Sequence, residues 1–246
     1  MLILALDTAT LVSSVALDTE EKLLAEFTLQ TTKTHSEKLL PTIDALCRFA
    51  AVEPEHIEAI AVSIGPGSFT GLRIGLATAK AMSYVRSLPL IGVPTLAGLA
   101  YNLAGSTQIL APVLDAQKGN VYMALYEFTA DGIQERMPVT ILKAEAAYEK
   151  LVSLARKVTL LGESAQVVQA AGDNNPLITV APPHLLMPRA ASIAAAARQL
   201  YQQGKVFDAM TLEPIYIRRS EAEVLWEKRQ QNQMPMLQTK EHHGQA

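Results

Sequence analysis

The sequence predicts an α/β protein of two duplicated lobes, each a mixed sheet flanked by helices. Three observations carry this. A three-strand meander whose first strand closes on an aspartate occurs twice, at LILALDT with Asp7 and at ILAPVLD with Asp115. Helical and strand segments follow the meander in both halves, the order expected of sheets with helices packed on them. Between the meanders, SIGPGSFTGLRIG at 63–75 reads as a strand end, a glycine turn and a helix start. The expected organisation is an N-terminal lobe over 1–105, a C-terminal lobe over 106–232 and a tail over 233–246, with a helix at 189–203 able to pack back on the first lobe.

In chain order, LILALDT is the first strand, and SSVALD and LLAEFTL, separated by TEEK, complete the first meander. THSEKLLPTIDALCRFAAV opens with a capping box of Thr34 and Glu37 and predicts a helix over 34–52. Pro41 lies too deep for its first turn and is expected to kink it or shorten its start. IEAIAVSI, short, apolar and bounded by glycine, is a buried strand. The next helix begins near Thr70 or Gly71, with Ser68 and Thr70 as N-cap types, and runs to about Arg86. LPLIGV is a strand, and PTLAGLAYNLA a short helix capped by Thr95. The second meander is ILAPVLD, VYMALYEF and IQERMPVTIL, joined by AQKGN and TADG. Helix KAEAAYEKLVSLARK, strand VTLLGES, short helix AQVVQAAG and strand LITVA follow, then helix AASIAAAARQLYQQ, ended by Gly204. EPIYIRR is extended, SEAEVLWEKRQQ an amphipathic helix, and MPMLQTKEHHGQA a frayed tail.

The composition, 49% hydrophobic and 18% charged over 246 residues, is that of an ordinary globular chain able to bury a real core. A net charge of −3 argues against broad autonomous nucleic-acid binding, which rests on a basic surface. Cys47 is the single cysteine, so no intrachain disulfide forms and a reducing compartment is expected. The N-terminus lacks a basic n-region and is broken by Asp7, so it reads as a strand and not a signal peptide. No apolar run reaches the ~18 residues of a membrane span. The expected location is the cytoplasm, away from membranes.

The strand, turn and helix start at 63–75 aim backbone N–H groups and a helix dipole at one point where an anion could sit. The known phosphate patterns fail there. The P-loop spacing places Thr70 or Leu72 where its second glycine belongs, and the dinucleotide fingerprint needs glycine at Thr70, not Gly71. The alternative is that Gly65 and Gly67 permit the turn, while Gly71 and Gly75 let the helix lie close to the sheet. Gly67 is expected to hold a backbone conformation that alanine tolerates poorly, through positive φ. Asp7 and Asp115 fit two readings: carboxylates near a nucleotide phosphate and its metal, or turn caps. The histidines do not form a metal site by spacing: Leu39 stands where a zinc helix starting at His35 would place its second histidine, His56 and His184 are isolated, and His242 and His243 fall in the tail. No nucleophile elbow G-x-S-x-G occurs. Arg218, Arg219, Lys228 and Arg229 fit either a phosphate-backbone contact or a solvated face.

The opening ILALDTAT, the central GPGSFTGLRIG with LATAKA after it, the pair VLDAQKGNVY and the late PIYIR together resemble the TsaB (YeaZ) family of bacteria, in order and over most of the chain. The resemblance implies the duplicated two-lobe fold of actin, Hsp70 and sugar kinases. It also implies a role in threonylcarbamoylation of the adenosine next to the tRNA anticodon, with the group coming from threonylcarbamoyl-AMP. In that scheme the catalyst is TsaD, which carries a metal-binding histidine pair, the ATPase TsaE joins it, and TsaB is the non-catalytic partner that assembles and activates TsaD. tRNA is then reached only through the complex. This sequence agrees with that division: the helix at His35 lacks paired histidines, Thr8 and Ala9 stand where a nucleotide-binding relative has a phosphate-approaching glycine, and Gln117 stands where many members carry arginine. The expectation is therefore no catalytic residue, no metal and no cofactor, with Asp7, Thr8, Gly65, Gly67 and Asp115 marking a vestigial nucleotide cleft.

The alternative is an enzyme of the same fold, an ATP-dependent phosphotransferase or a metallopeptidase. A third reading is a homodimer using the partner surface. On the helix over 34–52, Leu39, Leu40, Ile43, Leu46, Cys47 and Ala50 share one arc, while Thr42, Ala45, Phe49 and Val52 lie on a flank. That flank meets either the next helix of its own lobe or a partner. The resemblance implies the partner, because TsaB and TsaD pair through the helices of their first lobes.

Overall fold

The computed structural model describes residues 1–30 and 35–217. Thr34 of the expected capping box, the expected helix over 220–231, the tail, and Arg218, Arg219, Lys228 and Arg229 lie outside the described residues. Met1–Ile215 form one compact unit; of the second unit, Tyr216–Ala246, only Tyr216 and Ile217 are described, in neither helix nor strand.

The first sheet holds β1 (Ile3–Asp7), β2 (Val12–Asp18), β3 (Leu23–Gln30), β4 (Ala59–Ser63) and β5 (Leu90–Val93), in the order β3-β2-β1-β4-β5. Its meander is antiparallel, and β4 and β5 join it in parallel. The second sheet holds β6 (Ile109–Asp115), β7 (Asn120–Thr129), β8 (Gly132–Lys143), β9 (Val158–Leu161) and β10 (Ile178–Val180). Its order, β10-β9-β6-β7-β8, is the first order reversed, with the same parallel and antiparallel pairs. The two halves thus repeat one topology, and Asp7 and Asp115 end the corresponding central strands.

Helices fill the remaining layers. Helices α1 (His35–Ala50) and α2 (Phe69–Arg86) cover the outer face of the first sheet, where Leu39, Ile43, Leu46 and Cys47 pack with Leu4, Leu6 and Ile60. Positions 39, 43, 46 and 47 have the spacing of one buried stripe. Leu40, expected in that stripe, is 58% exposed, since it sits one step round the helix from Leu39. Helix α1 runs through Pro41. Helices α4 (Ala144–Ser153) and α5 (Ala165–Ala170) cover the outer face of the second sheet. The inner faces are filled by α3 (Thr95–Ala100), whose Leu96 and Leu99 pack with Leu110, Leu114 and Tyr126, and by α6 (Ala190–Gln202), which packs on the first sheet. Among the described residues no helix is long and apolar enough to cross a membrane.

The alanine run of α6 follows from that position. Ala190, Ala194, Ala196 and Ala197 face Ala5, Ala16, Ala59 and Ala61, so small side chains on both sides bring helix and sheet together, with Ile193 as the large anchor. Burying such an isoleucine is worth ~1.5–3 kcal/mol. The sheet also caps the helix: Ala190 N–H donates to Ser14 Oγ at 2.9 Å and Ala191 N–H to Glu26 Oε1 at 3.0 Å. These satisfy N–H groups that a helix start leaves without partners. Arg189 pairs with Glu26, and Arg198 with Asp18 at 2.7 Å, so two arginines fix α6 to β2 and β3.

The Arg198–Asp18 pair is largely shielded, with side chains 16% and 15% exposed. Arg198→Ala is expected to lower unfolding free energy in urea by about 2–3 kcal/mol, short of the ~3–5 of a fully buried pair. Arg48→Ala, which breaks the exposed α1 pair with Asp44, should change it by no more than about 0.5 kcal/mol.

Candidate functional site

The loop between β4 and α2 is held on three sides. Gly65 takes φ +115°, and its N–H and carbonyl both bond Thr95, through Oγ1 at 3.1 Å and through the Thr95 N–H at 2.9 Å. Thr95, expected to cap α3, is instead that helix's first residue, and its side chain accepts the Gly65 N–H. Ile215 N–H donates to the Ile64 carbonyl at 2.7 Å. Ser68 is the N-cap of α2, its Oγ accepting the Gly71 N–H at 3.3 Å. Positive φ therefore falls at Gly65 and not at Gly67.

Gly67 is required for another reason. The β1–β2 turn lies against this loop: Ser68 N–H donates to the Ala9 carbonyl at 2.7 Å, and Thr8 Oγ1 donates to the Gly71 carbonyl at 2.8 Å. A Cβ on Gly67 would stand 2.3 Å from the Ala9 oxygen, and one on Gly71 2.0 Å from the Thr8 oxygen. Thr8 and Ala9 are buried there. The glycines thus admit the first turn of the same chain to the start of α2. The N–H groups of Ser68 and Gly71 are bonded within the chain, to the Ala9 carbonyl and to Ser68 Oγ.

Asp7 and Asp115 make matching turns. Asp7 Oδ1 accepts the Ala9 N–H at 2.9 Å, and Asp115 Oδ1 accepts the Gln117 N–H at 2.8 Å. Each bonds two residues ahead, the turn-capping geometry. Their surroundings differ. Asp115 is exposed, and its own N–H meets Glu163 Oε1 at 3.3 Å, so its contacts lie within the second sheet and not with the Thr8–Gly67 cluster. Burial, and then the charge of Asp115, hold the Glu163 carboxyl above its ordinary pKa. Asp7 is buried, and its Oδ2 and the Ser63 Oγ of neighbouring β4 both lack hydrogen-bond partners. Burial raises its pKa from 3.8 to about 6, against smaller lowering by the Ala9 N–H and the nearby Ser63 hydroxyl. Gln117 and Lys118 take φ of 62° and 56° at the tip of the β6–β7 turn. Among the described residues no three His, Cys, Asp or Glu side chains are grouped to hold a metal ion.

On the outer helices, Phe49 is 81% exposed and meets Phe27 of β3 edge-on at 5.8 Å. Its flank therefore faces the sheet edge and solvent. Thr42 and Ala45 are half-buried, with Thr42 Oγ1 bonded to the Lys38 carbonyl, and Val52 packs against the core. The sequence reading put Leu40 in the apolar arc and did not single out Tyr84 and Val85; the three are exposed by 58%, 70% and 80%. Ser63 and Glu163 were also missed. The signal for Ser63 was its place at the end of the strand beside β1.

A family model described as TsaD, tRNA N6-adenosine threonylcarbamoyltransferase, matches residues 22–226. The chain is 33% identical to the tRNA threonylcarbamoyladenosine biosynthesis protein TsaB of Escherichia coli K12, over 93% of this chain and 98% of that protein. It is 30% identical to TsaB of Bacillus subtilis 168, over 92% and 98%. YeaZ from Pseudomonas aeruginosa superimposes with a TM-score of 0.76 at 25% identity, covering 88% of this chain and 99% of that one.

The Asp7 shift has a checkable sign. Its folded pKa, about 6, is raised above the ordinary 3.8, so the folded state binds the extra proton between those values. The shift thus favours the fold below about pH 4 and is lost as pH rises through about 6. Asp7→Asn removes this titration while keeping an oxygen for the Ala9 N–H. Between pH 4 and pH 7 the unfolding free energy of the unaltered protein should fall relative to Asp7→Asn by on the order of 3 kcal/mol. Parallel pH dependences in the two proteins would remove the shift.

Proposed function

Because this chain belongs to the TsaB (YeaZ) family, we propose that it is the non-catalytic partner that assembles and activates TsaD. The chain has a role in tRNA threonylcarbamoyladenosine biosynthesis, the process for which its full-length relatives are named. The observation that carries the non-catalytic part is the first turn seated on the start of α2, where Ala9 and Thr8 take up Ser68 and Gly71. Asp7 and Asp115 act there as turn caps, and Gly65 and Gly67 as backbone accommodations. In this reading the cleft is vestigial, the chain needs no cofactor, TsaE joins the assembly, and the complex works in the cytoplasm. A peptidase or phosphotransferase reading would need a reacting-group site, and the filled turn argues against a nucleotide's phosphates in that position.

The partner surface in this proposal is the outer face of α1 and α2. Phe49 stands out there with Thr42 and Ala45 alongside and Val52 anchoring the end, while Leu40, on another side of α1, and Tyr84 and Val85 of α2 are further exposed apolar side chains. Exposed apolar groups on two outer helices suit a helical partner. A second copy of this chain is the competing occupant.

The test uses Phe49→Arg with Val85→Arg, both at positions about 80% exposed, so the fold should hold. The variant is expected to keep its circular dichroism and melting temperature, to lose co-elution with TsaD, and to fail to support threonylcarbamoylation of tRNA in a reconstituted assay. A folded variant that co-elutes with TsaD and activates it as the unaltered protein does would refute this surface.

A further inference from the structure

The second sheet carries a pocket that the proposed role does not use. It lies where β6 begins, at Ile109, so along that strand it is roughly 20 Å from Asp115 at about 3.3 Å per residue. Its volume is about 520 Å³, and Ile109, Leu125, Met137 and Leu154 give it an aliphatic floor. Its rim holds Glu127, Arg136, Lys150 and Arg156.

The rim charges do not balance. Glu127 pairs with both guanidiniums, with Arg136 Nε at 2.7 Å and with Arg156 through Nη2. Arg156 and then Arg136 hold its carboxyl below the ordinary range. One carboxylate thus sits under two guanidiniums and an ammonium, an excess of two positive charges on a chain whose net charge is −3. Glu135, next to Arg136, acts on Tyr126, which belongs to the core on the other side of the sheet. Glu127 is 14% exposed while Arg136 and Arg156 are 48% and 53% exposed, so the carboxylate anchors both forks from below. Each arginine spends one N–H group on Glu127 and keeps others toward solvent. Guanidinium groups fixed side by side suit a phosphate, and their planes and an aliphatic floor suit an unstacked base.

We infer that this pocket binds one nucleotide of single-stranded RNA, its phosphate on Arg136, Arg156 and Lys150 and its base or ribose on the floor of Ile109, Leu125, Met137 and Leu154. The inference deepens the role in tRNA modification by giving this subunit its own weak contact with the RNA. That contact adds to the affinity of the complex and is small alone.

The test is fluorescence anisotropy of labelled hexauridylate with the full chain at low salt, without TsaD, so its outcome is separate from the partner test. One phosphate held by the three cations predicts a slope of log K against log salt near −0.7, at about −0.7 per neutralised phosphate. Lys150→Glu should weaken binding several-fold. Glu127→Gln with Arg136→Gln and Arg156→Gln, which leaves no carboxylate without its partner, should weaken it about tenfold or more and flatten the slope toward zero, by at most about 0.7. Unchanged melting temperatures confirm the fold. Binding and slope equal to the unaltered protein in both variants would overturn the inference, and so would displacement of hexauridylate by hexaglutamate at equal concentration, which would make the site a general polyanion surface.

Discussion

The seating of the β1–β2 turn on the start of α2 governs what this molecule can do. Two hydrogen bonds, Ser68 N–H to Ala9 and Thr8 Oγ1 to Gly71, join segments about sixty residues apart in sequence. They are possible because Gly67, Gly71 and Gly75 carry no Cβ: one on Gly75 would stand 2.2 Å from Thr8 Oγ1. A helix start and a glycine turn are the ordinary materials of a phosphate site. Here the chain's own first turn lies against them, and Asp7 at its base is buried with one oxygen unpaired. Buried polar atoms without partners are costly.

The same economy shapes the join between the sheets. Helix α3, from the first half of the chain, fills the inner face of the second sheet, while α6, from the second half, fills the inner face of the first. Polar side chains tie the exchange together. Asn102 Nδ2 donates to the carbonyls of Leu185 and Met187, and Ser192 Oγ donates to its Oδ1 at 2.6 Å. Gln199 of α6 accepts from Tyr101 and from Ile133 N–H and donates to the Asp131 carbonyl. Domain closure around a ligand requires lobes that hinge. These crossed helices instead favour a fixed frame in which the two sheets are joined.

Much of this was legible in the sequence because the signals are local. Alternation, glycine boundaries and cap types located the strands and helices, and the repeated meander ending in Asp7 and Asp115 became one sheet order used twice. What escaped was set by contacts distant in sequence. Gly67 reads locally as a turn residue with positive φ, but its need comes from Ala9, and positive φ falls at Gly65. Thr95 reads as a cap because its type is right, yet its hydroxyl serves Gly65, thirty positions earlier. Leu40 belongs to an apolar arc by angle alone, and only packing shows that the buried stripe stops at Leu39. The Glu127 clamp joins β7, β8 and the segment after α4, three places with no shared motif.

In the proposed reading, the first turn seated on the start of α2 takes the room a phosphate would need. Calorimetric titration of the isolated protein with ATP in magnesium-containing buffer tests this most directly. No saturable heat is expected up to millimolar nucleotide. A micromolar dissociation constant, lost on Gly71→Ala in a protein that stays folded, would contradict it and return the cleft to use as a nucleotide site.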